Sequence, residues 1–364
     1  MEKKLNIFCF LSMLDLTVEH SLKPIIMLPQ VENLFVFRLR HNPGPYLEKT
    51  TYFCNKFRFN ILNIIFEFFY SIALSKKYKP DIIISYYIKP HGFVALLVGK
   101  IINVPVNYNV MSGPEEFKLL RLGRTFDRQS STLENFLISI TSKFDSITTT
   151  GTKTMEYLIA NGISKELIKI LPDSVDLDKF VPINQNKFFD LIYVARLDPI
   201  KRQDLFLHMI SKLAKKYPDI KAGIVGDGPK YNSLKKLITS LGIKKNVVML
   251  GYREDVELFY HNSRILVLCS EREGLPMVVL EAMGCGLPCV VSDVGDINDL
   301  ITNNFNGYIV PDYNDIDLFV ESIDKLLSSK QNYDMISSNS ISTVREKYSY
   351  KAATEVWQTI LSEI

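Results

Sequence analysis

Runs such as DIIIS (81–85) and RILVLC (264–269) are apolar through their length rather than at every second position. A strand with one face in water alternates. A strand apolar on both faces must be covered on both, as in a parallel sheet between helix layers. Further strand candidates in the first half are LNIFCF (5–10), NLFVFRL (33–39), VPVNYNV (104–110) and SITTT (146–150). In the second half they are LIYVA (191–195), KAGIVG (221–226), NVVML (246–250), PCVVS (288–292) and GYIV (307–310). Helix-length amphipathic stretches separate these runs, which is βαβ spacing. Two such series predict two doubly wound, Rossmann-like α/β domains. A length of 364 residues suits about two domains of roughly 150 each.

The series is interrupted at LPDSVDLDKFVPINQNK (171–187), where prolines, an Asn/Gln cluster and loss of period mark a linker. The expected domains are therefore 1–175 and 186–348, with an amphipathic helix at 349–364 packing back on the first. It carries Trp357, the single tryptophan.

Charge and cysteine usage exclude several classes. There are 43 basic and 40 acidic residues, a net +3, too weak to argue for nucleic acid. The five cysteines, Cys9, Cys54, Cys269, Cys285 and Cys289, form no CxxC pair and sit largely in apolar runs. They read as small hydrophobes in a reducing compartment. The opening MEKKLNIFCFLSML is too short in its apolar part for a secretory signal and reads as a first strand over 5–11. The greasiest segment, ILNIIFEFFYSIAL (61–74), is too short to span a bilayer and contains Glu67. It reads as a buried helix. The alternative is a surface that touches membrane, since Lys56, Arg58, Lys76, Lys77 and Lys79 flank it.

Ligands of open α/β sheets bind beyond the carboxyl ends of the strands. Three such ends of the second series carry chemistry. After LIYVA comes Arg196-Leu197-Asp198-Pro199-Ile200-Lys201. An Arg fork and a Lys point charge there suit phosphate oxygens, and fixed cations ease departure of a diphosphate. After KAGIVG comes Gly226-Asp227-Gly228-Pro229, where glycine lets backbone approach a ligand. After RILVLC comes Ser270-Glu271-Arg272-Glu273-Gly274-Leu275-Pro276-Met277-Val278-Val279-Leu280-Glu281. Pro276 fits the first position of a helix. The free amides around Leu275, Met277 and Val278 would form an anion site. Glu273 precedes that helix, and Glu281 lies about 7.5 Å along it from Pro276. Two carboxylates thus straddle a phosphate-binding helix start, each able to accept sugar or ribose hydroxyls. Taken singly, the three motifs also read as a basic loop, a plain turn and a solvated carboxylate. Leu280, Ala282 and Met283 argue against the last, because a carboxylate among them needs a partner.

The spacing Glu273-x7-Glu281 within EGLPMVVLEAMGCGLPCVVSDVG resembles the hallmark of retaining glycosyltransferases of family 4, the group 1 glycosyl transferases with the GT-B fold. The order RLDPIK, GDGP, LGYREDV, EGLPMVVLE is also that family's order. The likeness is strong over 190–312, weaker over 140–185 and faint before about 130. It implies two Rossmann-like domains facing across a cleft, with acceptor in the first and donor in the second. The donor would be a nucleoside-diphosphate sugar, UDP- or GDP-linked. Arg196 and Lys201 would bind the diphosphate, and Glu273 would lie by the sugar. Glu281 would hold the ribose, and Gly226 and Gly274 through Val278 would line the site. Tyr252 and Arg253 would flank the base. No metal or other cofactor would be required, and configuration would be retained.

In the first half, His91 follows the strand DIIIS and is a candidate base or sugar ligand at the cleft. Gly113, Glu115 and Glu116 in NVMSGPEEF and His20 in TVEHSLKP are further candidates. Two departures from the family pattern matter. LSMLDLTVEH lacks the usual Gly-Gly after the first strand, and Val294-Gly295-Asp296-Ile297-Asn298-Asp299 replaces Gly-Gly-x-x-Glu.

The Glu-x7-Glu pattern speaks against a sugar-nucleotide epimerase or an inverting transferase. Intact Arg196, Lys201, Glu273 and Glu281 speak against a non-enzymatic binder. The absence of GxGxxG after LNIFCF speaks against a nicotinamide dehydrogenase. By resemblance, the setting would be synthesis of bacterial capsule, lipopolysaccharide or teichoic chains on a glycan or lipid-linked acceptor. The enzyme would be cytoplasmic, with peripheral contact at the inner membrane face.

Overall fold

In a computed structural model, residues 3–11, 13, 15–38, 45–54, 60–122, 125–128 and 131–363 are described. Lys56 and Arg58 lie outside them. The chain divides into Met1–Ser174 with Tyr350–Ile364, and Val175–Ser349.

The first domain holds strands β1 (Leu5–Phe10), β2 (Val31–Arg38), β3 (Thr50–Cys54), β4 (Ile82–Tyr86) and β5 (Val106–Val110). A short antiparallel hairpin of β6 (Leu119–Leu122) and β7 (Thr125–Arg128) follows, then β8 (Ser146–Thr149) and β9 (Ile168–Ile170). Seven of these form one parallel sheet in the order β3-β2-β1-β4-β5-β8-β9. The sheet is buried on both sides, as its composition requires. On β1, Phe8 and Phe10 enter one core with Phe35 and Phe37, and the rings of Phe10 and Phe37 stack at 4.7 Å. Ile7 and Cys9 enter the opposite core with Leu34, Val36 and Ile84. The C-terminal helix Tyr350–Ser362 completes that second core. Trp357 is fully buried there beside Val18 and Leu22, and Thr354 Oγ1 donates to Pro24 O at 3.1 Å.

The second domain holds β10 (Phe189–Val194), β11 (Ala222–Val225), β12 (Val247–Gly251), β13 (Ser263–Leu268), β14 (Cys289–Ser292) and β15 (Tyr308–Val310). All pair in parallel in the order β12-β11-β10-β13-β14-β15. The order reverses between β10 and β13. Loops leaving these neighbours run to opposite faces, which opens a crevice at their carboxyl ends. Val175 and Phe180 are buried in this domain's core, ahead of its first strand.

The segment read as a buried helix is the helix Asn60–Tyr78; Ile64, Phe68 and Ile72 pack against the core, but a second apolar stripe faces out. Asn63, Glu67 and Ser71, four residues apart, form its buried stripe, while Ile61, Ile65 and Phe69 are exposed. Hydropathy alone gave no direction to a helix this greasy; the polar stripe does. Among the described residues no helix is long and apolar enough to cross a membrane.

Candidate active site

The loops at the carboxyl end of the second sheet are joined by their backbones. Leu197 N donates to Asp227 O at 2.9 Å and Lys230 N to Leu197 O at 3.0 Å, joining the loops after β10 and β11. Gly226 N donates to Gly251 O at 2.8 Å, adding the end of β12. Glu271 N donates to Ile200 O at 2.8 Å, adding the loop after β13, and Asp296 N to Gly274 O at 3.0 Å, adding the loop after β14. Such closeness needs glycine, most tightly at two points. A Cβ on Gly226 (φ +139°) would lie 1.9 Å from Ala195 O, and one on Gly295 (φ +59°) 1.9 Å from Gly274 O. The single glycine of Val294-Gly295-Asp296 thus abuts the Glu273-Gly274 backbone.

Within this frame the cationic loop and the carboxylate loop meet. Lys201 ends a short 3₁₀ turn, Pro199–Lys201, whose last carbonyl accepts from the buried Tyr193 hydroxyl. Its Nζ stands 2.5 Å from Glu273 Oε1. Both side chains are largely sheltered, where a charge-assisted hydrogen bond gains strength. Arg196, more exposed, is paired with Asp198, and its carbonyl accepts from Gln203 Nε2 at 2.9 Å.

The helix Met277–Gly284 begins directly after Pro276, which caps it from outside rather than opening it. The first amides of any helix have no intrahelical acceptor. Those of Met277 and Val278 therefore sit at the crevice with the positive end of the peptide dipoles. Glu281, one turn further on, is 3 % exposed and accepts from Tyr260 Oη at 2.8 Å. Burial pushes its carboxyl up to about 7. The Tyr260 hydrogen bond and the charge of Lys179 pull it down, and Glu257 pushes it up. Lys179 and Glu257 are themselves 3.3 Å apart. Tyr260 was not singled out from sequence. It lies on another helix, Val256–His261, and no local signal marks it as the partner of Glu281. Tyr252 and Arg253 stand exposed after β12, with the Arg253 guanidinium 5.1 Å from the Phe259 ring centre.

In the first domain the candidates are placed differently from expectation. His91 does not stand open at a sheet edge. It is 2 % exposed, its Nδ1 is 3.3 Å from Glu67 Oε1, and Glu67 is equally buried. Glu116 is buried and fully engaged. Its Oε1 accepts from Ile88 N and Tyr108 Oη, both at 2.6 Å, and its Oε2 from Met111 N at 3.1 Å. It therefore clamps the loops after β4 and β5, leaving the less buried Glu115 as the freer carboxylate. Gly113 adopts φ +64°, and His20 is buried with Nδ1 2.9 Å from Tyr350 Oη. Among the described residues no three His, Cys, Asp or Glu side chains gather as a metal site.

Residues 175–343, the whole of this stitched domain up to its last turns of helix, match the family model described as glycosyl transferases group 1. The match covers just under half of the chain and shows this second domain to be similar to the group 1 glycosyl transferases. A relative from Escherichia coli, a UDP-Gal:alpha-D-GlcNAc-diphosphoundecaprenol alpha-1,3-galactosyltransferase, is 34% identical over 178 residues. The match covers 45% of this chain and 46% of that one. A poly(ribitol-phosphate) alpha-N-acetylglucosaminyltransferase of Staphylococcus aureus is 28% identical over 175 residues, covering 47% and 34% respectively. The chain spans about half the length of the first curated relatives it matches. HepE of Anabaena, solved in complex with UDP-glucose, superposes with a TM-score of 0.80 at 18% identity, covering 99% of this chain and 100% of that one. The chain therefore has the GT-B fold, two parallel-sheet α/β domains.

Proposed function

We propose that this protein is a retaining glycosyltransferase of the group 1 kind. It moves a sugar from a nucleoside-diphosphate donor, UDP- or GDP-linked, to a hydroxyl of a glycan or lipid-linked acceptor. The observation that carries the reading is the meeting of Lys201 and Glu273 at the switch point between β10 and β13. It puts a sheltered cation and a carboxylate beside a helix N-terminus, an arrangement suited to a diphosphate bonded to a sugar.

In this reading Arg196, Lys201 and the amides of Met277 and Val278 receive the diphosphate. Glu281 accepts the ribose hydroxyls, and Tyr252 and Arg253 flank the base. Glu273 turns to the hydroxyls of the transferred sugar. The bond from the anomeric carbon to the phosphate oxygen breaks as the acceptor oxygen bonds on the same face. The acceptor proton passes to the departing phosphate, whose charge the two cations and the helix start offset. Those cations supply the charge that a metal ion would otherwise provide, so the proposed reaction needs no metal. The E. coli relative's diphosphoundecaprenol substrate supports a lipid-linked acceptor, and hence work at the inner face of the cytoplasmic membrane.

Thermal shift with UDP, GDP, ADP and CMP tests the donor site. A ligand at about 100 times its Kd stabilises the native state by ~2.7 kcal/mol. One nucleoside diphosphate should give a clear shift that Lys201→Ala and Glu281→Ala abolish, and its sugar conjugates should then support transfer. No shift with any of them at millimolar concentration would overturn the assignment.

A further inference from the structure

Strand order in the first sheet reverses between β1 and β4, with β2 and β3 to one side and β5, β8 and β9 to the other. The crevice of an open α/β sheet lies at such a point, beyond the carboxyl ends of the two strands. The first residue past β4 is Tyr87, and its backbone has φ 65° and ψ 140°. Asn103 and Arg202 also have positive φ, but with ψ of 52° and 40° they occupy the left-handed well. Tyr87 lies outside that well, where glycine is at home and a bulky residue is strained. Tyr86 and Ile88 on either side are buried, while Tyr87 is partly exposed.

The surroundings impose this conformation. Tyr87 N donates to Asn109 O at 3.3 Å, and Gly92 N donates to Tyr87 O at 3.0 Å. Ile88 N donates to Glu116 Oε1 at 2.6 Å, while Met111 N and Ser112 N donate to Glu116 Oε2 at 3.1 and 3.4 Å. One buried carboxylate thus ties the peptide after Tyr87 to the loop after β5. Strain of this kind persists where the structure around it over-determines it, and it collects at ligand sites. Glycine would serve the backbone better at position 87, so the tyrosine is accounted for by its side chain. The ring packs on the edge of the core that Trp357 closes, without being enclosed by it. At the same end of the sheet, Tyr86, Asn109, Thr148 and Asp173 line a polar pocket. An aromatic face with a hydroxyl tip, beside hydroxyl-binding groups, suits a sugar ring with its apolar face and polar edge.

We propose that Tyr87 contacts a sugar unit of the acceptor and governs its selection, and that Glu116 is the positioning residue that holds Tyr87 there. This rests on the reading of the protein as a transferase whose first domain takes the acceptor.

The test measures transfer from the nucleotide sugar to octyl glucoside, octyl galactoside and octyl N-acetylglucosaminide, beside donor hydrolysis by water, which needs no glycoside. Tyr87→Ala and Tyr87→Gly should raise the glycoside KM about tenfold or more, with donor KM and hydrolysis as in wild type. Tyr87→Phe, which keeps the ring, should fall between. Glu116→Gln cannot accept from all the groups that Glu116 serves, and should raise the glycoside KM in the same way. Tyr87→Gly should melt about 2 °C or more above Tyr87→Ala, the reverse of their order at an ordinary φ. Equal melting of the two, or an unchanged glycoside KM in Tyr87→Ala, would overturn the proposal. So would a glycoside KM that rises only in step with the donor KM, which would report a general loss of structure. Wild type that hydrolyses donor but transfers to none of the glycosides would overturn the assignment to a sugar unit. Wild type that neither binds nucleotide nor hydrolyses donor would overturn the transferase reading, and this proposal with it.

Discussion

Lys201 Nζ lies 2.5 Å from Glu273 Oε1, so the sheltered cation of the second domain is balanced by a carboxylate from the adjacent strand's loop. A diphosphate bound to Lys201 must compete with that carboxylate. Charge-assisted hydrogen bonds contribute ~1.5–3 kcal/mol, roughly one to two decades in affinity. Lys201→Ala should therefore weaken UDP or GDP binding about 10- to 100-fold. Glu273→Gln should bind the free nucleotide as well as wild type or better, while sugar transfer falls about 100-fold or more because the sugar loses its acceptor. Calorimetry with the nucleotide, set beside initial rates with the sugar donor, separates the two. Equal loss of nucleotide affinity in both variants would mean that Glu273 holds the nucleotide instead of competing with it.

Glu281 links pH to both stability and binding. Its folded-state pKa is raised to about 7 from an ordinary value of 4.5. Between these values the folded chain keeps a proton that the unfolded chain releases. The contribution is therefore complete below about pH 4.5 and is lost as pH rises to about 7. For a group this buried the loss is ~3 kcal/mol at most. Glu281→Gln keeps a hydrogen-bonding side chain beside Tyr260 without the titration. Its melting temperature should thus gain on wild type as pH goes from 5 to 8. Ribose hydroxyls are better accepted by the ionised carboxylate, so wild-type nucleotide affinity should rise over that interval while the variant's stays flat. Melts and titrations at four pH values check both, and parallel profiles for the two proteins would refute the assignment.

Glycines at the sheet's carboxyl end differ from those elsewhere in the same domain. Gly226 and Gly295 face carbonyl oxygens at 1.9 Å from an added Cβ, whereas Gly242 (φ +68°) faces open space. Gly242→Ala should cost only left-handed backbone strain, about 1 kcal/mol. Gly226→Ala and Gly295→Ala add a clash that only backbone movement relieves, for ~2–4 kcal/mol in all. Urea unfolding measures the difference. The latter two should also lose nucleotide binding, because the loops they join carry Arg196, Lys201 and Glu273.

How legible these features were depended on what each residue has to satisfy. Central strands were readable because both their faces are buried, which leaves the middles of DIIIS and RILVLC without polar positions. The edge strands Thr50–Cys54 and Ile168–Ile170 were missed because they are short and partly exposed, so no such pattern is imposed on them. Glu281 was conspicuous for being a carboxylate in an apolar helix, but its partner Tyr260 lies on another helix, and nothing local points to it. His91 was misplaced because position after a strand says which end of the sheet a residue is on. It does not say whether the side chain turns to solvent or, as here, to Glu67. The helix Asn60–Tyr78 was recognised but not oriented, since greasiness carries no direction until its polar stripe is matched to a buried partner.

That partner supplies the last prediction. Glu67 and His91 are each 2 % exposed and 3.3 Å apart, and their facing polar atoms make no hydrogen bond. Removing one member of a buried pair leaves the other uncompensated and costs ~3–5 kcal/mol, while replacing both with apolar groups of similar size is often neutral or stabilising. Glu67→Leu and His91→Leu should each lower the urea midpoint markedly, and Glu67→Leu/His91→Leu should recover most of the loss. The recovery is read as a coupling energy in a double-mutant cycle. If the two losses simply add, the residues are not acting on each other. The helix would then owe its orientation to Asn63, Ser71 and the core contacts of Ile64, Phe68 and Ile72. If the double variant recovers, the two residues are coupled, and their substitution should leave nucleotide binding by the other domain untouched.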